Sequence, residues 1–267
     1  MTVALARLEL RRMRSLVVGV AAIIVLYAGV IALFYPTIKS NTAVVDAYLN
    51  AFPKGFLAAF GMTGSLSDPG VFYGTYIASF LWPVAAAMVG IVLATRPVAA
   101  DLDRGYLELT LATPVSRPRL LVVAIVGQAA AIALLALVMV GAVLAAGVVV
   151  DAGFDAGRFL LPLPTTVAFG AAIAGPTTLL SVITLSRGRS AGIAAGALIV
   201  MYLVRILVGI QPDLGWLGGL SYFQYGEPGR TVTSGVLPLG DTLVLASIGI
   251  IGWVAAVVLF RRRDLAA

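Results

Sequence analysis

The sequence contains no cysteine and no histidine, and charged residues make up only 11% of its 267 positions. Without cysteine there is neither a disulfide nor a thiolate site. Without histidine the chain lacks the commonest general base and a common metal ligand. Soluble globular chains carry about 25% charged residues, so the low charge indicates a protein whose solvent is largely lipid.

The sequence also lacks a phosphate-binding loop, which requires a glycine-rich backbone followed by Lys-Ser or Lys-Thr. The only lysines are Lys39 and Lys54. Lys39 precedes Ser40, but the preceding "FYPTI" contains no glycine. A metal pump would need Cys, His or clustered carboxylates within its apolar runs, and these runs contain none. We therefore predict a chain that is not an enzyme, with no ATPase site, cofactor or metal of its own.

Long apolar runs take up most of the chain. Hydrophobic residues make up 61% of it, and the mean hydropathy is +1.05. A transmembrane helix needs about 20 mostly apolar residues. That length predicts six spans, at about 15–35, 71–95, 120–150, 161–185, 191–210 and 241–260.

The arginines orient these spans. With the N-terminus inside, the inner segments hold 13 of the 18 Lys and Arg residues, and seven of the 12 acids fall outside. Cytoplasmic loops of membrane proteins carry this excess of positive charge. We therefore predict cytoplasmic termini and a multi-pass protein of the cell membrane. The net charge of +6 needs no nucleic-acid partner to explain it.

Residues 41–60 follow a different pattern, with apolar residues at three- and four-residue steps and Asp46, Asn50 and Lys54 on the other side. The pattern is typical of an amphipathic helix. Such a helix either lies in the membrane interface or packs on its own bundle. Pro53 should kink or split it.

A charged block, "AADLDRGYLELTLATPVSRPRL", interrupts the apolar chain at residues 99–120. Its middle, about 99–112, is predicted to form a short helix that Pro114 ends. Asp101 and Asp103 fall near the N-terminus of this helix, where the helix dipole favours anions. A short amphipathic helix lies against the membrane surface or docks in a groove of a partner.

The same block, "DLDRGYLELTLATPVSRPRLL", resembles the first cytoplasmic loop of ABC-2 type transporter permeases. Asp101 stands where that family often has glutamate, and Tyr106 where it often has threonine. The ending "FRRRDL" and the stretch "YLNAFPKGFLAAFG" also resemble the family. The resemblance implies an all-α membrane protein with the six spans of a type V ABC exporter permease, forming one domain over 1–267. It further implies a cytoplasmic interface helix at 1–14, a coupling loop at 96–119 and an outer re-entrant connection at 211–240.

In such permeases the loop docks on a separate ATP-binding subunit, present in two copies, which holds the ATP and Mg. A second permease copy, or a homologous permease, completes the pathway. The resemblance thus implies export of a hydrophobic or amphipathic substrate such as a drug, antibiotic, peptide or lipid. The implied contacts with the ATP-binding subunit are Asp101, Asp103, Arg104, Leu107, Glu108, Leu109 and Leu111.

Arg205 is the one charge well inside a predicted span, about five residues from the outer end of the fifth. A long arginine stem near a span end can snorkel or pair internally. An intramembrane charge can also face a substrate pathway. Tyr222, Phe223 and Tyr225, in the outer connection, either anchor it at the interface or gate the exit. Two other functions remain open: a non-transporting assembly or regulatory protein, and a secondary transporter.

Overall fold

The computed structural model describes residues 2–62, 64–100, 117–153, 155–225, 231–232 and 234–262. Every regular element in these ranges is helical. Six helices are long and apolar enough to cross a membrane. The predicted all-α, six-span architecture is confirmed, and the orientation of the termini stays a prediction.

The six spans and the short helices that connect them follow one another along the described residues. The first span is α1 (Thr2–Ser40), and two short helices follow it, α2 (Thr42–Leu49) and α3 (Lys54–Ala59). The second span comprises α4 (Pro69–Tyr73), a π-helical stretch (Gly74–Leu81), α5 (Trp82–Thr95) and a second π-helical stretch (Arg96–Ala100). The third span is α6 (Arg117–Val149), and α7 (Ala156–Leu160) leads into the fourth, α8 (Leu163–Thr184). The fifth span is α9 (Arg187–Ile210) and the sixth is α10 (Leu239–Arg262).

The first span is longer than its apolar run. The predicted interface helix at 1–14 is not a separate element, because residues 2–40 form one continuous α-helix. Its first half contains no proline, and its first glycine is Gly19, so nothing interrupts the helix at residue 14. At 1.5 Å per residue this helix is about 58 Å long, against a hydrocarbon core of about 30 Å. Its ends therefore extend beyond the apolar layer or the helix tilts.

The two π-helical stretches of the second span both lie at prolines. Pro83 follows the stretch Gly74–Leu81, and Pro97 lies inside the stretch Arg96–Ala100. A proline ring clashes with the carbonyl four residues earlier. A wider π turn relieves that clash without breaking the helix. The span therefore keeps its direction but changes the way its side chains face at both stretches.

The fourth and sixth spans make the most extensive contact of any two helices described, and the fourth span is the most buried of the six. Gly249 lies so near the fourth span that an added Cβ would be 2.7 Å from the carbonyl carbon and oxygen of Ala171. A Cβ on Gly252 would overlap backbone atoms of Gly175 and Pro176. Small residues at a helix crossing let the two backbones approach, which is how membrane helices gain packing energy.

The fifth span is the least buried of the six. Within α9, which is described in full, the buried residues are Ser190, Ala194 and Leu198. Gly188, Gly192 and Gly196 form a row along the helix, and an added Cβ on any of them would meet nothing within 4 Å. The fifth span therefore leans on the central bundle along one narrow face.

The segment at 41–60 lies at the end of the bundle opposite the loop stems, which is the outer end in the predicted orientation, and it divides at Pro53, as predicted. Pro53 caps the N-terminus of α3, and α2 ends four residues earlier at Leu49. The backbone of α3 meets the fifth span where Gly55 lies against Gly209. All of α2 is at least partly exposed, with Val44 and Tyr48 among its most exposed side chains. The packing of α3 on the bundle agrees with one of the two alternatives, and an interface position for α2, which presents apolar side chains outward, stays a prediction.

Candidate functional site

An apolar groove separates the second and fifth spans. Its volume is about 370 Å³. Phe80, Val84, Ile199 and Leu203 line it and are exposed on the side where lipid would lie. Ligand sites typically fall in the range of about 300–1,000 Å³ and are lined mainly by apolar groups with a few polar ones. The groove has the size and lining of a site for an apolar molecule that enters from the membrane.

Phe223 closes the outer end of this groove. Its ring is wedged between Phe169 of the fourth span and Tyr202 of the fifth, with centroid distances of 5.4 and 5.3 Å. Both pairs meet edge to face, the favoured arrangement for aromatic rings. A gap of about 30 Å³ behind Phe223 is lined by Arg205 and by Ser79. Phe223 therefore stands between the apolar groove and the outer surface.

A second cavity of about 400 Å³ lies beyond Phe223. Its lining is more polar and includes Gln224, Thr231, Ser234 and Asp241. Arg205 and Phe223 line this outer cavity as well as the gap, so they form the boundary between the two spaces. An apolar groove, an aromatic boundary and a more polar cavity therefore follow one another along this side of the bundle.

Arg205 is half-buried and has an internal partner. Its Nη1 donates a hydrogen bond of 2.8 Å to the carbonyl oxygen of Phe223. Nearby, the hydroxyl of Ser221 donates to the carbonyl oxygen of Met201 at 2.7 Å. Both bonds join the outer connection to the fifth span. The internal pairing expected of Arg205 is therefore present, and the same side chain faces both cavities.

The three aromatic residues of the outer connection have different surroundings. Tyr222 packs against the main apolar core, and desolvation raises the pKa of its phenol above the usual value. Tyr225 lines the gap, and its hydroxyl donates to the carbonyl oxygen of Gly219 at 2.9 Å. Residues 211–225 of the connection form two 3₁₀ segments, Pro212–Leu220 and Tyr222–Gln224. Pro212 and three glycines weaken longer helix formation in this part, whereas Thr231, Val232 and Ser234 further on are helical.

The predicted contacts with an ATP-binding subunit, Asp101, Asp103, Arg104, Leu107, Glu108, Leu109 and Leu111, lie outside the described residues. The structure describes the two stems of their loop. The incoming stem is held on both sides, since Arg96 donates to the carbonyl oxygen of Arg12 in the first span. The N–H of Ala99 donates to the hydroxyl of Ser181 in the fourth span at 3.3 Å.

An apolar cluster at the same end of the bundle joins the two stems to the rest of the protein. Val98 of the incoming stem and Leu121 of the outgoing helix pack with Val182, Ala256 and Phe260. All five are almost fully buried. A movement of the loop would therefore pass directly to the fourth and sixth spans through packed side chains.

Gln128 forms a polar junction between this cluster and the main core. Its side chain is 1% exposed. Its Oε1 accepts from the hydroxyl of Thr178 and from Nε1 of Trp253, both at 3.1 Å. Its Nε2 donates to the carbonyl oxygen of Leu93 at 3.2 Å. One amide therefore connects the second, third, fourth and sixth spans.

Sequence reasoning missed two parts of this arrangement. Gln128 is noticeable in the sequence because it is the one amide in an uncharged run of 31 residues, 120–150. Its hydrogen-bond partners could not be identified from the sequence, since they lie 35, 50 and 125 residues away. Nothing in the sequence marks Ser79 as special, because a serine in an apolar span is common. Its importance depends on the π-helical stretch and on the groove beside it.

Comparison with known families gives a match over nearly the whole chain. The model of a family described as "ABC-2 family transporter protein" covers residues 3–265. Comparison with curated proteins gives no match. The family match agrees with the resemblance carried by the charged loop and includes all six spans. The chain is thus a multi-pass membrane permease that belongs to the ABC-2 family of transporters.

Proposed function

We propose that this permease exports a hydrophobic or amphipathic substrate, a drug, antibiotic, peptide or lipid, across a prokaryotic plasma membrane. The observation that carries the proposal is the apolar groove between the second and fifth spans, which leads to Phe223 and a polar outer cavity. A molecule taken from the membrane would occupy the groove, pass Phe223 and leave through the outer cavity. The termini and the loop at 96–119 lie in the cytoplasm in this proposal.

The energy would come from a separate ATP-binding subunit, present in two copies, that holds ATP and Mg. The loop at 101–114 would dock on that subunit as a coupling helix. The stems support this role because hydrogen bonds and the apolar cluster tie them to the first, fourth and sixth spans. Binding of ATP would favour one arrangement of the spans, and hydrolysis would restore the other.

A second permease copy, or a homologous permease, would complete the pathway. The side chains of the groove that are most exposed in this chain, Phe80, Val84, Ile199 and Leu203, are available to a second copy. The glycine row of the fifth span offers a surface that another helix can approach closely. Two copies facing each other across this side would enclose their two grooves in a common chamber.

The first experiment measures association with the ATP-binding subunit. The tagged permease is expected to co-purify with a separately encoded ATP-binding protein, and native mass spectrometry should give two copies of each. Glu108→Lys combined with Leu109→Asp is expected to reduce the association at least tenfold, because it reverses one polar contact and removes one apolar contact. Arg158→Ala, at the opposite end of the bundle, is the matched control.

Association and ATP turnover that persist in the Glu108 and Leu109 variant would show that the loop is not the docking site. Such a result would also remove the support for a cytoplasmic loop, since a cytoplasmic ATP-binding subunit reaches only that side. Absence of any ATP-binding protein from the purified complex would contradict the proposed function itself.

Arg205 is proposed to draw the polar or anionic head of a substrate toward the outer cavity, which it lines beside Phe223. Arg205→Leu is expected to reduce the export of fluorescein about tenfold and the export of neutral 1-aminoanthracene much less. Arg205→Lys should retain most fluorescein export because it keeps the charge. Uptake into inside-out vesicles measures both. Unchanged fluorescein export by a normally assembled Arg205→Leu variant would exclude this role.

A further inference from the structure

Ser79 carries a buried hydroxyl without a hydrogen-bond partner among the described residues. Its Oγ lies inside the second span, within the π-helical stretch Gly74–Leu81. A buried polar atom left unpaired costs free energy, so a native structure keeps few of them. The hydroxyl of Ser79 therefore needs an explanation other than stabilisation of the fold.

The hydroxyl of Thr75, in the same π-helical stretch, donates to the carbonyl oxygen of Gly61 at 2.8 Å. Six other hydroxyls of the described spans donate to the carbonyl oxygen four residues earlier, at 2.7–2.9 Å, namely those of Thr95, Thr166, Thr177, Thr178, Ser190 and Thr242. This bond is the usual way for a membrane helix to satisfy Ser or Thr. Ser79 does not form it. In a π-helix the carbonyls pair with the N–H five residues on, so the geometry that serves the other six hydroxyls is altered here.

Ser79 stands at the wall of two neighbouring spaces. Ser79 lines the apolar groove and also the small gap behind Phe223. Apart from Ser79 and Tyr202, the side chains that line the groove are apolar. An apolar pocket with one or two fixed polar groups selects ligands by placing a hydrogen bond at a defined point. π-Helical turns occur frequently at such functional positions.

We propose that Ser79 forms a hydrogen bond with the transported molecule in the groove. The substrate class is then an apolar body carrying a hydrogen-bonding group, such as an amine, amide, hydroxyl or carbonyl, next to the second span. This inference rests on the proposed transport function and adds the feature that the substrate must have. A purely hydrocarbon molecule would bind the groove only through burial of its apolar surface.

The test compares two probes of the same shape. 1-Aminoanthracene carries one amine, and anthracene carries none. Binding to the full-length chain in lipid nanodiscs is measured by energy transfer from its tryptophans, with empty nanodiscs as the background. Ser79→Ala is expected to weaken the binding of 1-aminoanthracene about 3- to 10-fold, the effect of one neutral hydrogen bond. Anthracene binding should not change.

A second measurement distinguishes this role from a structural one. Removing an unpaired buried hydroxyl relieves its desolvation cost, so Ser79→Ala should raise the Tm of the ligand-free protein. Ser190→Ala is the matched control on the fifth span, because its hydroxyl donates to the carbonyl oxygen of Ser186 at 2.7 Å. This control should lower the Tm and leave the binding of both probes unchanged.

Equal loss of both probes, loss of neither, or a lower Tm in Ser79→Ala would overturn the inference. A groove-filling variant, Ala195→Phe, adds no energy-transfer donor and separates this failure from failure of the groove itself. If Ala195→Phe blocks both probes while Ser79→Ala has no selective effect, the groove binds ligand and Ser79 does not select it. If Ala195→Phe blocks neither probe, the groove is not the binding site and the proposed export path fails with it.

Discussion

Gly252→Ala is expected to destabilise the protein by at least about 3 kcal/mol, because overpacking of a core typically costs about 1–3 kcal/mol and here the new methyl group meets backbone. The added Cβ would overlap the backbone of Gly175 and the nitrogen of Pro176, and neither can turn aside as a flexible side chain would. The fourth and sixth spans would have to separate along their whole crossing. Thermal unfolding in detergent and the monodisperse fraction in size-exclusion chromatography measure the effect.

Gly141→Ala is the matched control, inside the third span and eight residues before its last residue, Val149. A Cβ added there would meet nothing within 4 Å. Alanine is favoured over glycine inside a helix by about 0.5–1 kcal/mol, so this variant should unfold at the same temperature or higher. Equal stability of the Gly141 and Gly252 variants would show that the crossing of the fourth and sixth spans is looser than described.

Gln128→Leu is expected to have the second largest effect, a loss of about 1–3 kcal/mol of stability. Single hydrogen bonds inside membrane proteins average only about 0.6 kcal/mol. Here three bonds meet on one side chain that is 1% exposed, and its removal leaves Nε1 of Trp253 without this acceptor. The hydroxyl of Thr178 loses one of its two acceptors but still donates to the carbonyl oxygen of Ala174.

Thr177→Val is the control for Gln128→Leu, because the hydroxyl of Thr177 bonds only within its own helix, to the carbonyl oxygen of Ile173. A double-mutant cycle with Trp253→Phe isolates the bond between the indole and the amide. The two changes should be less than additive, because either one removes the same bond. Additive losses, or a Gln128→Leu variant as stable as Thr177→Val, would mean that the junction does not join the four spans energetically.

The hydrogen bonds of Gln128 also connect the loop stem with the span that lines the groove. Leu93, which accepts from Gln128, is three residues before Arg96 at the start of the loop stem. The same span carries Ser79 and the other groove residues up to Ile91, on the N-terminal side of Leu93. The second span is therefore held at its loop end by Gln128 and Ser181, while its middle lines the groove of the proposed export path.

Several features of the fold were predictable because they depend on local sequence. A run such as 120–150, with no charge and no proline, has no stable alternative to a helix in lipid, since every backbone N–H and C=O must be paired internally. Pro53 divides the outer segment because proline removes a backbone donor wherever it occurs. The family resemblance was also predictable from local sequence, because the charged block at 99–120 is easily recognised within an apolar chain.

The candidate site was less predictable because its parts are distant in sequence. Arg205 was identified as an intramembrane charge, but its partner, the carbonyl oxygen of Phe223, is a backbone atom that no pattern marks. Leu198 and Val84 share a groove only because the fifth span leans on the second. Residues 2–14 do not form a helix of their own but continue into the first span, because no proline or glycine in residues 2–18 breaks the helix.

The sequence by itself determined that this chain lives in lipid, crosses it six times and belongs to the ABC-2 transporters, because hydropathy, charge and a local loop motif are read along the chain. The tertiary structure alone decided which glycines touch, where Gln128 finds its partners, and why the hydroxyl of Ser79 stays unpaired beside a groove. The physical reason is that apolar helices carry little information about their neighbours. Lipid and protein are equally apolar surroundings for most of their residues, and only packing distinguishes them.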